Sequence, residues 1–195
     1  LLATGKRFGF NDDFLFDDIK VTPSSLPLNY RVDDLELAWS AIGQGKVLVT
    51  PLHMAMLAAS IGNDGIMMEP KLVYQVIGRN KNVQKQLQPE VYKKAISHEN
   101  ASILKKMMET VVLEGTGRNA QSKKVRIAGK TGTAERGSVN SDNSNLAWFI
   151  GFAPAADPTL AIAVLIEDVG QGKTGGSEAA PLARKVIEKA VELGY

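Results

Sequence analysis

Residues 128–135 read Ala-Gly-Lys-Thr-Gly-Thr-Ala-Glu and place a cation, two hydroxyls and two glycines in a stretch that otherwise reads as a strand. Glycine weakens a strand unless something must approach its backbone closely. Lysine keeps its charge in water unless a partner is assigned to it. Thr131 and Thr133 alternate with Lys130 and Gly132, so the pairs point to opposite faces. On an edge strand, this set offers a positive charge, two hydroxyls and free backbone N–H groups. That suits an anionic, peptide-like ligand lying alongside. The same residues also suit an edge strand that uses Lys130 to repel other strands, and taken alone they leave both readings open.

Other chemistry is excluded more easily. Gly129-Lys130-Thr131 and Gly172-Lys173-Thr174 resemble the end of a phosphate loop, but that pattern needs a further glycine five residues before each Gly. Those positions hold Lys124 and Glu167, so nucleotide binding is rejected. There are no cysteines, which excludes thiol nucleophiles and cysteine-zinc sites. The two histidines, His53 and His98, are too far apart in sequence for a histidine-rich metal site. His53 is expected as a satisfied core residue. Trp39 and Trp148 are expected in packing. Asp12-Asp13 and Asp17-Asp18 fall short of a calcium loop in spacing and ligand number and are expected on a solvated face.

The elements that must position these residues follow from caps and periodicity. The chain of 195 residues is 44% hydrophobic and 23% charged, the balance of a globular chain. Its 23 basic and 21 acidic residues give +2, too weak and mixed to indicate nucleic acid. No apolar run approaches the ~18 residues of a membrane span. Residues 1–32 read as surface loop with a helix end near residues 1–8. Asp33 or Asp34 caps a short helix. Thr50-Pro51 opens a second helix, apolar nearly all round, that stops at Gly62-Asn63-Asp64-Gly65. Residues 71–77 read as a strand and 80–89 as exposed polar chain. Ser97 caps a helix to about Glu114, with one apolar stripe formed by Ile103, Met107 and Val111 and the flanking Leu104, Met108 and Val112. Three strands follow, over 125–134, 146–153 and 160–167, the first two joined by a polar loop. A glycine-rich loop then leads to a last helix, whose apolar face is Leu182, Val186 and Ala190, with Ala183 and Ile187 beside it. Helices, then strands with short antiparallel connections, then a helix give an α+β fold with a mainly antiparallel sheet.

Residues 128–135 resemble the Lys-Thr-Gly box of the penicillin-binding transpeptidases, and the box does not stand alone. Ala41-Ile42-Gly43-Gln44-Gly45, Val49-Thr50-Pro51-Leu52 and Asn63-Asp64-Gly65 through Pro70 are similar to the helical stretch of that family. Val111-Val112 to Gly115-Thr116-Gly117 resembles the segment ahead of the box. Residues 147–154, Ala-Trp-Phe-Ile-Gly-Phe-Ala-Pro, resemble the strand after it, and Gly175-Gly176 to Ala179-Ala180-Pro181 resembles the entry to the last helix. The matches keep the family's order over most of residues 35–190 and look most like the monofunctional class B enzymes.

The resemblance implies a penicillin-binding-protein and serine-β-lactamase-like fold. It implies a peptidoglycan-cross-linking D,D-transpeptidase that is acylated by β-lactams and needs no cofactor and no metal. Lys130 would assist catalysis by supplying positive charge and hydrogen-bonding a second active-site serine. Thr131 and Thr133 would bind the substrate or drug carboxylate. The Thr133 N–H would form half of the oxyanion hole, and Gly132 would keep the strand clear. The implied partners are the peptidoglycan stem peptide and β-lactams, not nucleic acid. The parent would be membrane-anchored, on the extracytoplasmic face, within a cell-wall synthesis complex. Two alternatives remain: a β-lactam sensor or serine β-lactamase relative, and a non-catalytic peptide-binding module.

One departure matters. In the family the Ser-x-x-Lys and Ser-x-Asn boxes both lie upstream of the segment that Leu1 begins. Ser102-Ile103-Leu104-Lys105 matches the first pattern, and Ser138-Val139-Asn140 and Ser141-Asp142-Asn143 match the second. At about 100° per residue, Ser102, Lys105, Lys106 and Glu109 fall opposite the apolar stripe, where a lysine base would not be desolvated. The two Ser-x-Asn matches follow Lys130 instead of preceding it. All three are expected to be coincidences. Residues 1–195 are therefore expected to be the C-terminal part of one transpeptidase domain, helical and looped over 1–120 and sheet plus final helix over 121–195. Such a piece would leave a sheet edge uncovered and would be inactive alone.

Overall fold

The structure, a computed structural model, describes residues 1–14, 16, 19–27, 33–135 and 144–195. Local capping sets the helices. Helix α1 is Leu2–Arg7. Helix α2, Asp34–Ala41, starts where the Asp33 carboxylate accepts from the Glu36 N–H at 2.7 Å. Helix α3, Pro51–Gly62, has Thr50 as its cap and proline in its first turn, where a missing N–H costs nothing. Helix α4, His98–Leu113, is capped by Ser97. Helix α5, Ala180–Glu192, follows a wide π-type turn, Gly175–Ala179, whose Thr174 and Ser177 form a reciprocal capping box.

Four short strands lie between α3 and α4. Strand β1 (Ile66–Met68) pairs antiparallel with β4 (Val91–Lys94), and β2 (Gln75–Ile77) pairs with β3 (Val83–Gln86). The remaining sheet holds β5 (Ala128–Glu135), β6 (Asn145–Ala153) and β7 (Leu160–Val169), antiparallel in the order β5-β6-β7. Lys130 stands opposite Ile150, Gly132 opposite Trp148 and Thr133 opposite Ala147.

The middle strand β6 carries the core on both faces. Phe149, fully buried, packs with Ala147 and Ala153 against Ala180, Ala183 and Ile187 of α5. Phe152, also fully buried, packs on the other face with Ile61 of α3 and with Ala101 and Met108 of α4. Each such aromatic contributes about 1.5–3 kcal/mol through burial alone. Strand β7 has the apolar composition of a strand covered on both faces, yet residues 160–166 are at best half-buried. Among the described residues it pairs only with β6.

Several expectations change. Of the expected α4 stripe, Met108 and Val112 are buried, together with Ala101, while Ile103 and Met107 are exposed. The buried face of α5 is Ala180, Ala183 and Ile187, while Leu182 and Val186 are exposed. In both helices alanines stand beside these larger buried side chains, where their small size lets the helix approach its neighbours closely. The N-terminal stretch is more than surface loop: Phe14, Val21 and Leu26 are buried, and Phe14 and Val21 join Met56 and Met67 in a core cluster. The expected strand over 71–77 shortens to β2, and the stretch taken as exposed polar chain contains β3. Trp39 is exposed instead of packed. Asp12 is not simply solvated: its carboxylate accepts from the Lys93 ammonium and the Tyr92 hydroxyl. Burial alone would raise its pKa, but these partners outweigh that and hold it below the usual value. Asp17 and Asp18, and both Ser-x-Asn matches, lie outside the described residues.

His53 is a core residue, as expected. It is fully buried on α3, with the Phe10 and Phe14 rings 5.0 and 4.9 Å from its own. Its Nε2 lies 2.7 Å from the Phe8 carbonyl oxygen. A carbonyl only accepts, so Nε2 carries a proton. Its Nδ1 has no hydrogen-bond partner among the described residues. Burial lowers its pKa from the ordinary 6.5, against the smaller upward pull of the Phe8 carbonyl and Asp12. The unfolded chain therefore takes up a proton that the folded chain refuses. Stability should be full above pH 6.5 and fall as the pH drops below it. The urea midpoint of the wild type should decrease from pH 7.5 to 5.5, and that decrease should be smaller in His53→Gln. An equal pH dependence in both proteins would refute the assignment.

Candidate active site

Strand β5 lies at the edge of its sheet, and its outer side opens onto a cavity of about 530 Å³. Lys130, Thr131, Gly132 and Thr133 all line it. Although Lys130 and Gly132 alternate with the threonines, the edge position lets both sets reach one space. The opposite wall comes from Gln44, Val47 and Leu48 between α2 and α3. Trp148 and Ile150 of β6 form the floor.

The lysine is exposed, and its ammonium donates to the Thr131 carbonyl oxygen at 2.7 Å. Its charge is therefore held over the strand while two of its three donors stay available. The Thr131 hydroxyl lies 2.6 Å from the Thr116 hydroxyl, in the turn that ends α4. The Thr133 hydroxyl accepts from the Gly175 N–H at 3.2 Å, in the turn that starts α5. With its oxygen so engaged, Thr133 keeps its own O–H free to donate. Gln44 donates from its side chain to the Thr133 carbonyl at 3.2 Å and so ties the helical wall to the strand. A cation and hydroxyl donors beside an edge strand are chemically able to hold a carboxylate on an extended chain.

The glycines have different causes. A Cβ on Gly129 would lie 2.2 Å from the Phe149 ring, so the close neighbour there is a core aromatic of β6 and not a ligand. A Cβ on Gly132 would meet the Trp148 Cβ at 3.2 Å. Trp148, expected in packing, thus also forms the cavity floor. A Cβ on Gly175 would lie 2.1 Å from the Trp148 carbonyl oxygen and 2.4 Å from that of Gly132.

Ser102 and Lys105 do not line this cavity. The solvated reading of that pair needs correction in detail. Ser102 and Lys105 are half-buried, and the lysine is bound to Asp64 at 2.8 Å; Glu109 pairs with Arg126 at 2.7 Å. Lys105 is thus engaged in an ion pair away from the cavity. Thr116, Gln44 and Gly175 lie in segments that carry the family resemblance, but sequence reasoning gave them no place beside the box. Gly115-Thr116-Gly117 and Gly175-Gly176 mark tight turns, but nothing in their spacing says that they meet β5.

The family model for the penicillin binding protein transpeptidase domain matches residues 2–188. The chain belongs to that family. It is 41% identical over 181 residues to the peptidoglycan D,D-transpeptidase PbpA of Mycolicibacterium smegmatis, covering 88% of this chain and 37% of the relative. It is 37% identical to the stage V sporulation protein D of Bacillus subtilis, over 97% of this chain and 30% of that one. A solved structure of penicillin-binding protein A from M. tuberculosis, a ceftriaxone acyl-enzyme complex, superposes with a TM-score of 0.88 at 34% identity. That match covers 97% of this chain and 42% of the other. The chain thus spans about a third of the length of the curated relatives it matches. The α+β fold expected from the sequence is the fold of these transpeptidase domains.

Gly175→Ala tests the packing behind the strand. Both obstructing atoms are backbone oxygens that cannot rotate away, so the variant should lose about 1–3 kcal/mol, read as a lower urea midpoint. Unchanged stability would show that the π-type turn is not wedged against β5 and β6.

Proposed function

We propose that this chain supplies the carboxylate-binding wall of a peptidoglycan D,D-transpeptidase site, within the C-terminal part of one transpeptidase domain spanning residues 1–195. The observation that carries the reading is the edge strand β5, with Lys130, Thr131 and Thr133 facing one cavity. In this reading Thr131 and Thr133 hold the terminal carboxylate of a stem peptide or the carboxylate of a β-lactam. Lys130 supplies positive charge and hydrogen-bonds a second serine. The Thr133 N–H is half of the oxyanion hole, and Gly132 leaves room for the bound chain. A serine outside this chain attacks the penultimate D-Ala carbonyl and expels the terminal D-Ala. An amine from a neighbouring strand then takes the acyl group and frees the serine. A β-lactam acylates the same serine; the M. tuberculosis relative has been solved as ceftriaxone and penicillin G acyl-enzyme complexes. The whole protein acts outside the membrane, anchored to it, with other cell-wall synthesis proteins.

The test is the intact mass after incubation with a reactive penicillin. This chain should stay unmodified. A longer form carrying an upstream Ser-x-x-Lys should gain one adduct. An adduct on this chain mapped to Ser102 would overturn the reading and make Ser102 the nucleophile.

In the longer form, Lys130→Ala should slow acylation about 10²–10³-fold, the range for loss of one preorganised transition-state donor. Rapid-quench mass spectrometry reads that rate. A rate equal to wild type would remove Lys130 from the site.

A further inference from the structure

The ribbon formed by β2 and β3 is the feature the transpeptidase reading leaves unused. Among the described residues its two strands pair with each other and with no third strand. Every residue of both strands is exposed, including Val76, Ile77 and Val83, and Tyr74 beside them is 69% exposed. A lone two-stranded ribbon is at best marginal in water. Covering a strand edge and apolar side chains of this kind would stabilise it.

Charge says what could cover it. Residues 75–86 hold Arg79, Lys81 and Lys85 and no carboxylate. Those three charges exceed the +2 of the whole chain, so the ribbon is a local concentration of positive charge. None of the three makes an ion pair among the described residues. The nearby acids Glu69 and Glu90 are both already bound to Lys71, at 3.5 and 3.2 Å.

Three kinds of occupant fit differently. A second copy of the ribbon would bring like charges together and is repelled, which is how edge lysines prevent aggregation. An anionic bilayer needs one apolar face to enter. Here Val76 stands opposite Lys85 and Ile77 opposite Val83, and adjacent positions point to opposite sides. Lys85 therefore shares a face with Val76, and past a register shift the other face holds only the Ile77–Val83 pair, too small an apolar surface to bury in a bilayer. An added strand needs no such surface, because it binds through the backbone edge and contacts both faces at once.

We infer that the β2–β3 ribbon is a docking edge for an acidic, extended polypeptide segment, which adds to it as a third strand. The charges that forbid self-pairing select a partner of opposite sign. The inference does not depend on the proposed active-site roles.

The experiment titrates the chain with a dye-labelled twelve-residue peptide of alternating Glu and Val and reads fluorescence anisotropy. Binding is expected, with slowed hydrogen exchange at the β2 and β3 amides. A Gln/Val peptide of the same pattern, and a Glu/Val peptide interrupted by proline, should each bind at least ten-fold more weakly. Both controls use the unaltered protein. Combined Arg79→Glu, Lys81→Glu and Lys85→Glu substitutions should weaken binding by a similar factor. The inference is overturned if no peptide binds, if the proline peptide binds equally, or if charge reversal has no effect. It is overturned equally if phosphatidylglycerol vesicles bind the ribbon and the peptide does not.

Discussion

Gly175 sits between two carbonyl oxygens, those of Gly132 and Trp148, at distances that leave no room for a side chain. Its own N–H reaches the Thr133 hydroxyl. The next residue, Gly176, is held just as closely against the Thr116 carbonyl, and its own carbonyl accepts from the Asn119 side chain at 2.8 Å. The start of α5, the end of α4 and the strand β5 are thus joined almost backbone to backbone. The hydroxyls of Thr131 and Thr133 take their positions from that junction. The aim of the site strand therefore depends on a contact that only glycine permits.

Strand β5 could have been silenced by a neighbour on its outer side. Instead the sheet ends there among the described residues, and the chain before α3 stands off across a cavity, bridged by Gln44. An edge is usually a liability, because unpaired N–H and C=O groups attract other strands. A lysine on that edge both discourages self-pairing and favours an anionic ligand. The two readings left open by the Lys-Thr-Gly box are therefore compatible properties of one strand. Strand β7 presents the other edge and carries no such protection along its apolar run, residues 160–166.

The helical half is organised around α3. Its apolar surface is covered from one side by the N-terminal chain, through Phe8, Phe14 and the rings around His53, and from another by β6 and α4. A neutral histidine in that aromatic setting makes the region sensitive to acid without giving it a catalytic part.

Short-range physics was legible in the residues. Asp33, Thr50 and Ser97 begin helices through hydrogen bonds that span three residues, so their sequence neighbours suffice to identify them. The strands β6 and β7 and the box within β5 were legible for the same reason, since alternation is local. Which part of the apolar surface of α4 and α5 is buried was not, because each helix offers more apolar residues than its core contact takes, and only a distant neighbour selects. The same holds for the buried N-terminal chain and for the short strands β1 and β4, whose pairing partners or covering residues lie far away in sequence. At the site, Lys130, Thr131, Gly132 and Thr133 could be named from the sequence. The hydroxyl of Thr116, the amide of Gly175 and the side chain of Gln44 that surround them belong to three other segments, and only folding brings such segments within hydrogen-bond distance.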